Sequence, residues 1–156
     1  MNKSTALKLA LEILWWILTA LIVWAVLQPI YKAMYIWPFR NANIVFIVVL
    51  FTLTRYIFLL QHTFIAYRQV LKIALLLLMF PLTFLLIEQL HTFLSYIDEQ
   101  TWEPLTGHLP FSQQPAIEAY IWGEMLFFGV GSIIAAPVFA ARMMMSVWRL
   151  RNRGTV

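Results

Sequence analysis

The chain contains no cysteine. Disulfide bonds, thiolate metal sites, iron–sulfur clusters and cysteine nucleophiles are therefore all excluded. Charged residues are also scarce: they make up 12% of the sequence, about half of their usual share in soluble domains. This scarcity excludes a protein that binds nucleic acid through a broad basic face, so nucleic acid is not among the expected partners.

What the chain has in excess is apolar surface. Hydrophobic residues make up 62% of its 156 residues, and its mean hydropathy is +0.79. The core of so short a chain is too small to bury this much apolar surface, so lipid must cover the rest. The sequence thus predicts an integral membrane protein and argues against a soluble enzyme of ordinary composition.

Four apolar stretches have the length of transmembrane helices. They cover about residues 6–27, 44–66, 70–95 and 116–147. Each reaches the ~20 residues that a helix needs to cross the hydrocarbon core, and continuous apolar runs differ from the alternating segments of a β-barrel. We therefore predict one all-α domain over residues 1–156, an antiparallel bundle of four transmembrane helices. The short second connection predicts that helices two and three form a hairpin.

The positions of Lys and Arg predict the orientation of the bundle. Apart from Arg55, which lies within helix two, only Lys32 and Arg40 fall at one end of the predicted bundle, and the others fall at the opposite end. Because basic residues favour the cytoplasmic side, both termini are expected in the cytoplasm. The expected location is a bacterial cytoplasmic (inner) membrane. The loop over about residues 96–118 is acidic and has no Lys or Arg, as expected of an outer loop.

Ionisable residues within the predicted helices are candidates for a site, because charge is costly to place in lipid. Arg55 lies near the middle of helix two, helix three carries Glu88 and His91, and helix four carries Glu124. A rise of ~1.5 Å per residue places both acids in the outer half of the bundle, within reach of a snorkelling Arg55. We expect Arg55 to form a salt bridge with Glu88 or Glu124. Such an intramembrane polar cluster either fixes helix register or forms a proton, ion or substrate site.

Glu88 and His91 also match the Glu-x-x-His spacing of metal-binding helix bundles. With Glu124 they form a weak candidate for a mononuclear metal site, whereas a di-iron site requires a second such motif. No other cofactor is expected. No catalytic residue can be named, because Ser132 has no histidine on its own helix to activate it, and whether the chain is an enzyme stays open.

Small residues recur along helix four. Gly131 and Ala135 are four residues apart, and so are the successive members of the set Ser132, Ala136 and Ala140. A small-xxx-small pattern lets transmembrane helices approach each other closely. The pattern predicts a packing face whose neighbour lies in the same chain or in another one.

Three functions are compatible with these features. The first is a small integral membrane subunit or accessory protein that associates with another membrane protein, or with copies of itself, through its helices and outer loop. The second is transport of protons, ions or small solutes by a homo-oligomer, through a polar site of Arg55, Glu88 and Glu124. The third is a membrane enzyme that acts on a lipid-like substrate at the outer interface. The first is favoured, because no catalytic set is complete and no internal repeat supports alternating access.

Overall fold

The computed structural model describes residues 3–60, 63, 65 and 68–152, and every regular element in these residues is a helix. The elements are α1 (Lys3–Ala33), α2 (Arg40–Leu59), α3 (Gln69–Gln100), the short α4 (Glu103–Thr106) and α5 (Gln114–Asn152). Four segments are long and apolar enough to cross a membrane: Ala6–Ala33, Arg40–Leu59, Gln69–Gln100 and Gln114–Arg149. The chain is an integral membrane protein with four candidate spans.

Several helices end at positions other than the predicted ones. α1 continues to Ala33, whereas the sequence predicts its end near residue 27. α3 ends at Gln100, beyond the predicted residue 95, and α5 begins at Gln114 within the predicted loop. α2 begins earlier than predicted, at Arg40, and ends at Leu59. Residues 61, 62, 64 and 66 of the predicted second span lie outside the described residues.

The continuation of α1 through Pro29 involves a contact with α5. Proline has no N–H and removes the hydrogen bond to the carbonyl four residues earlier. The hydroxyl of Tyr120 donates to the nearby carbonyl of Val26 at 2.8 Å, so this turn of α1 receives a donor from another helix. Transmembrane helices tolerate proline where a neighbouring helix supplies such donors.

α5 lies at the centre of the bundle. It makes extensive contacts with both α3 and α2, while α2 and α3 touch each other much less. The predicted hairpin of helices two and three is therefore not a close-packed pair. α1 has few contacts with any other helix, and many side chains of its first half are exposed.

The small residues of α5 lie at these contacts. A Cβ added at Gly129 would lie 2.9 Å from Leu90 of α3, and one added at Gly131 would lie 3.1 Å from Leu50 of α2. Further small residues on α5 are buried or half-buried: Ser132, Ala135, Ala136 and Ala140. The neighbours of this small-residue face thus include helices of the same chain, which approach closely because no larger side chain separates them.

The interhelical contacts give the helix directions. α2 runs parallel to α5, since Asn43 contacts Glu124 and Ile57 contacts Arg142, and α3 runs antiparallel to α5, since Lys72 contacts Ser146 and Leu90 lies beside Gly129. α1 opposes α2 and α5, since Glu12 contacts Arg55 and Val26 contacts Tyr120, so the bundle has two distinct ends.

The loop end holds the residues Ala33, Arg40, Gln100 and Gln114, and the terminal end holds Lys3, Leu59, Gln69 and Asn152. At the loop end, Nε2 of His108 donates to the carbonyl of Ala33 at 3.0 Å, which ties the long loop to α1. Phe93 of α3 lies there between Trp37 and Trp102, with ring centroids 6.4 Å apart in both cases.

Candidate functional site

Arg55 is buried within the bundle and forms an ion pair with a residue that sequence reasoning missed. Its Nη1 lies 2.8 Å from Oε2 of Glu12 on α1. The guanidinium carbon also lies 5.7 Å from the ring centre of Trp15 and 5.4 Å from that of Tyr56, within the range of cation–π attraction. We call these four residues the Arg55 clamp. The predicted salt bridge with Glu88 or Glu124 is not formed.

Arg55 does not pair with Glu124 because the two residues lie at different depths in the bundle. Because α2 ends at Leu59, Arg55 is about one turn, or ~6 Å, from the end of its helix. It therefore lies in the terminal half of the bundle, whereas Glu124 lies ten residues after the start of α5, in the loop half. Glu12 is the single acid of the first apolar stretch, and in an antiparallel arrangement it falls in the same half as Arg55. That was the sequence signal for the correct partner.

Glu124 has a different partner, on α2. Nδ2 of Asn43 donates to Oε1 of Glu124 at 2.5 Å. Asn43 is fully buried and Glu124 is 8% exposed. The remaining oxygens of this Asn43–Glu124 pair, Oδ1 and Oε2, are buried without a hydrogen-bond partner among the described residues. Unpaired buried polar atoms of this kind are costly and require a specific explanation.

Glu88 and His91 lie on the outside of the bundle. They form an exposed or half-exposed face of α3 with Thr92 and Ser95, and we call these four residues the α3 stripe. Oγ of Ser95 lies 3.0 Å from Nδ1 of His91, and the hydroxyl of Thr92 donates to the backbone carbonyl of Glu88. Within residues 3–60 and 68–152, nothing forms a hydrogen bond or ion pair with the Glu88 carboxylate.

The α3 stripe is not a solvated end of the helix. Phe93, which lies between Trp37 and Trp102 at the loop end, follows Glu88 by five residues. Glu88 is therefore ~8 Å further from the loop end than Phe93 is. The side chains of a helix lean toward its N-terminus, so the carboxylate of Glu88 is directed toward the middle of the span. The stripe thus presents a carboxylate and an imidazole on the outer face of a candidate membrane span.

An apolar groove adjoins this stripe. It lies between α3 and α5 and has a volume of about 480 Å³. On α3 it is lined by Phe80, Phe84 and Ile87, which are 61%, 73% and 46% exposed. Phe84 and Ile87 precede Glu88 and His91 by four residues, so the groove and the stripe share one face of the helix.

The four residues of the predicted cluster are thus divided among three places. Arg55 belongs to the clamp, Glu124 to the pair with Asn43, and Glu88 and His91 to the α3 stripe. The predicted metal ligands Glu88, His91 and Glu124 are not brought together. Among the described residues, no group of three or more His, Asp and Glu side chains is arranged to hold a metal ion. The polar path predicted for transport is likewise not contiguous within one subunit.

Two basic side chains form interhelical contacts at the terminal end. Nζ of Lys72 on α3 donates to Oγ of Ser146 on α5 at 2.9 Å. Nε of Arg142 on α5 donates to the carbonyl of Ile57 at 3.2 Å, which satisfies an acceptor in the last turn of α2. Basic groups are favoured near the C-terminal end of a helix by its dipole. Basic side chains thus take part in the contacts between helices at the terminal end.

The chain matches no protein-family model, no curated protein and no solved structure.

Proposed function

We propose that the protein is a small integral membrane subunit that binds a transmembrane helix of a partner protein along the exposed face of α3. The observation that carries this proposal is the exposure of Glu88 and His91 on a membrane-spanning helix. Insertion scales assign about 2.5–3.5 kcal/mol to a charged side chain at the centre of a membrane helix. A partner that covers the stripe removes this cost, because it replaces lipid with hydrogen-bonding groups.

The chemistry of the face indicates the kind of partner. Glu88 is an acceptor and favours a Lys, Arg or His side chain at the same depth on the facing helix. Below the stripe, the groove offers a concave apolar surface lined by Phe84 and Ile87. An elongated face with a groove and one charged position suits a single helix, which buries its apolar side chains in the groove and aligns its donor with Glu88.

The distribution of charged residues supports an orientation in which the terminal end of the bundle faces the cytoplasm. The terminal end contains Lys72 and Arg142 in interhelical contacts and Arg149 and Arg151 in the last turn of α5. Six of the seven acids lie toward the loop end, with Glu12 as the exception. By the positive-inside rule, the terminal end faces the cytoplasm and the long loop the opposite side. In a bacterium this corresponds to the inner membrane.

Photo-crosslinking in native membranes tests the proposal. A benzophenone amino acid is placed at Phe84, in the groove, and in a control variant at Phe127. Phe127 is an exposed aromatic residue of α5, 66% exposed, that does not line the groove. We expect a discrete protein adduct from position 84 and none from position 127. Mass spectrometry of the adduct then shows whether the partner is another protein or a second copy.

A substitution of Glu88 gives the second part of the test. Glu88→Leu removes the only carboxylate of the α3 stripe, so the adduct at position 84 is expected to fall severalfold while the amount of folded protein is unchanged. Adducts with lipid alone at position 84, or equal adducts at both positions, would contradict a specific helix-binding face.

A further inference from the structure

The Asn43–Glu124 pair is the most unusual contact inside the bundle. It joins α2 to α5 through one hydrogen bond, from Nδ2 of Asn43 to Oε1 of Glu124. The second oxygen of each side chain is a buried acceptor without a donor among the described residues. A buried carboxylate oxygen and a buried amide oxygen of one contacting pair thus both lack a hydrogen-bond donor.

The described surroundings of the pair supply no such donor. On α5, Ile121 and Phe128 lie about one turn before and after Glu124, Met125 follows it directly, and all three belong to the same buried apolar cluster. The hydroxyl of Tyr120, the titratable group one turn before Glu124, is committed to the carbonyl of Val26.

The charged groups of the other helices are also engaged elsewhere or directed outward. Arg55 of α2 is paired with Glu12 of α1 in the terminal half, and Arg40, one turn before Asn43, is exposed. On α3, Glu88 and His91 are exposed on the outside of the bundle. In the described part of the chain, no cationic side chain forms an ion pair with Glu124.

A single proton resolves both defects. A neutral carboxylic acid has an O–H donor in addition to its acceptor oxygen. When Oε2 of Glu124 carries the proton, it can donate to Oδ1 of Asn43 while Oε1 continues to accept from Nδ2. The two side chains then form a closed ring of two hydrogen bonds, and no net charge is left in the apolar interior.

We propose that the Asn43–Glu124 pair is a proton-binding site. The proton is taken up from water, held on Oε2 of Glu124 and shared with Oδ1 of Asn43, and it links α2 to α5. The site is independent of the α3 face that binds a partner, because the pair lies inside the bundle and involves neither Glu88 nor His91.

Infrared spectroscopy of the full chain in lipid at neutral pH tests this inference. The difference between the parent and Glu124→Gln is expected to show the C=O stretch of a protonated carboxylic acid. The control Glu88→Gln, at an exposed position, should leave that band unchanged. Asn43→Leu should move the band or remove it, since it deletes the acceptor of the acid proton. A parent spectrum in which residue 124 contributes only carboxylate bands would overturn the inference.

Thermal unfolding in mild detergent provides a second measurement. Glutamine has an N–H in the place of the acid O–H, so Glu124→Gln can keep both hydrogen bonds of the ring. We expect its unfolding midpoint to stay within about 2 °C of the parent's, a small change for a chain of this length. Asn43→Leu loses both bonds and is expected to unfold at a clearly lower temperature. If Glu124→Gln is destabilised as much as Asn43→Leu, or fails to fold, the pair holds an anion that needs its charge and the proposal is refuted.

Discussion

The Arg55 clamp offers a direct test of how α1 is held in the bundle. In lipid, apolar helices gain no hydrophobic free energy by leaving the acyl chains for each other. The first half of α1 is largely exposed, so its ion pair with Arg55 has an unusually large share in fixing it. We predict that Arg55→Leu and Glu12→Leu each destabilise the protein and loosen α1 more than the other helices.

The expected magnitude follows from burial. Removing one partner of a buried ion pair costs about 3–5 kcal/mol, since the other charge loses its compensation. Arg55 is 7% exposed and Glu12 is 18% exposed, so an Arg55 without its partner is left more deeply buried inside the bundle than a Glu12 without its partner. We expect about 3 kcal/mol for Arg55→Leu, the lower end of that range, and a larger loss for Glu12→Leu.

A double-mutant cycle measures how much of the lost stability comes from the ion pair between Glu12 and Arg55 itself. The doubly substituted protein replaces a buried pair with two apolar side chains, which is often close to neutral. Its free energy of unfolding, measured by titration with a denaturing detergent, should therefore lie nearer to the parent's than either single variant does. The coupling energy should then be at least about 3 kcal/mol, the size of the smaller single effect. Arg40→Leu, an exposed arginine of the same helix, is the control and should change little. Additive single effects would refute the ion pair as the contact that holds α1.

Two further predictions concern α5. Gly129→Leu should destabilise the bundle by about 1–3 kcal/mol, the usual cost of overpacking, because a Cβ at this position would already lie 2.9 Å from Leu90. Gly123→Leu is the matched control, since a Cβ there meets nothing within 4 Å. Equal losses of the two variants in detergent-denaturation titrations would contradict the packing argument. Tyr120→Phe should lower the free energy of unfolding by about 1 kcal/mol, the net value of one hydrogen bond, because it removes the donor to the carbonyl of Val26. Increased amide hydrogen exchange confined to the turn around this carbonyl would show that the contact supports α1. Unchanged exchange would count against it.

The sequence is most informative where the cause is local. Hydropathy depends on each stretch by itself, so the four candidate spans follow from composition and length, and the structure has four such helices. Helix ends are less predictable. α1 continues through Pro29, and Tyr120, 94 residues after Val26, donates to the carbonyl of Val26 in this part of the helix. No local signal around Gln28-Pro29 reports that contact.

The polar contacts were harder to predict, because they depend on depth and on helix rotation. A shift in the end of α2 to Leu59 moves Arg55 into the terminal half and changes its partner to Glu12. α3 is apolar nearly all round, so hydropathy gives no indication of which side faces the bundle. The predicted salt bridge of Arg55 with Glu88 or Glu124 places these side chains inside the bundle, whereas Glu88 and His91 face outward.

That outward direction becomes meaningful when it is compared with the contacts inside the chain. Among the described residues, three pairs of long helices are each joined by a contact between two polar side chains: α1 and α2 by Glu12 and Arg55, α2 and α5 by Asn43 and Glu124, and α3 and α5 by Lys72 and Ser146. Interhelical hydrogen bonds are a principal source of specificity in lipid, where apolar contact alone discriminates poorly. Glu88 is an intramembrane carboxylate that no described residue of the chain pairs with. Under the proposed function its contact lies in a helix pair that includes another chain, so changes at Glu88 should alter association without altering stability, whereas changes in the three internal contacts should alter stability first.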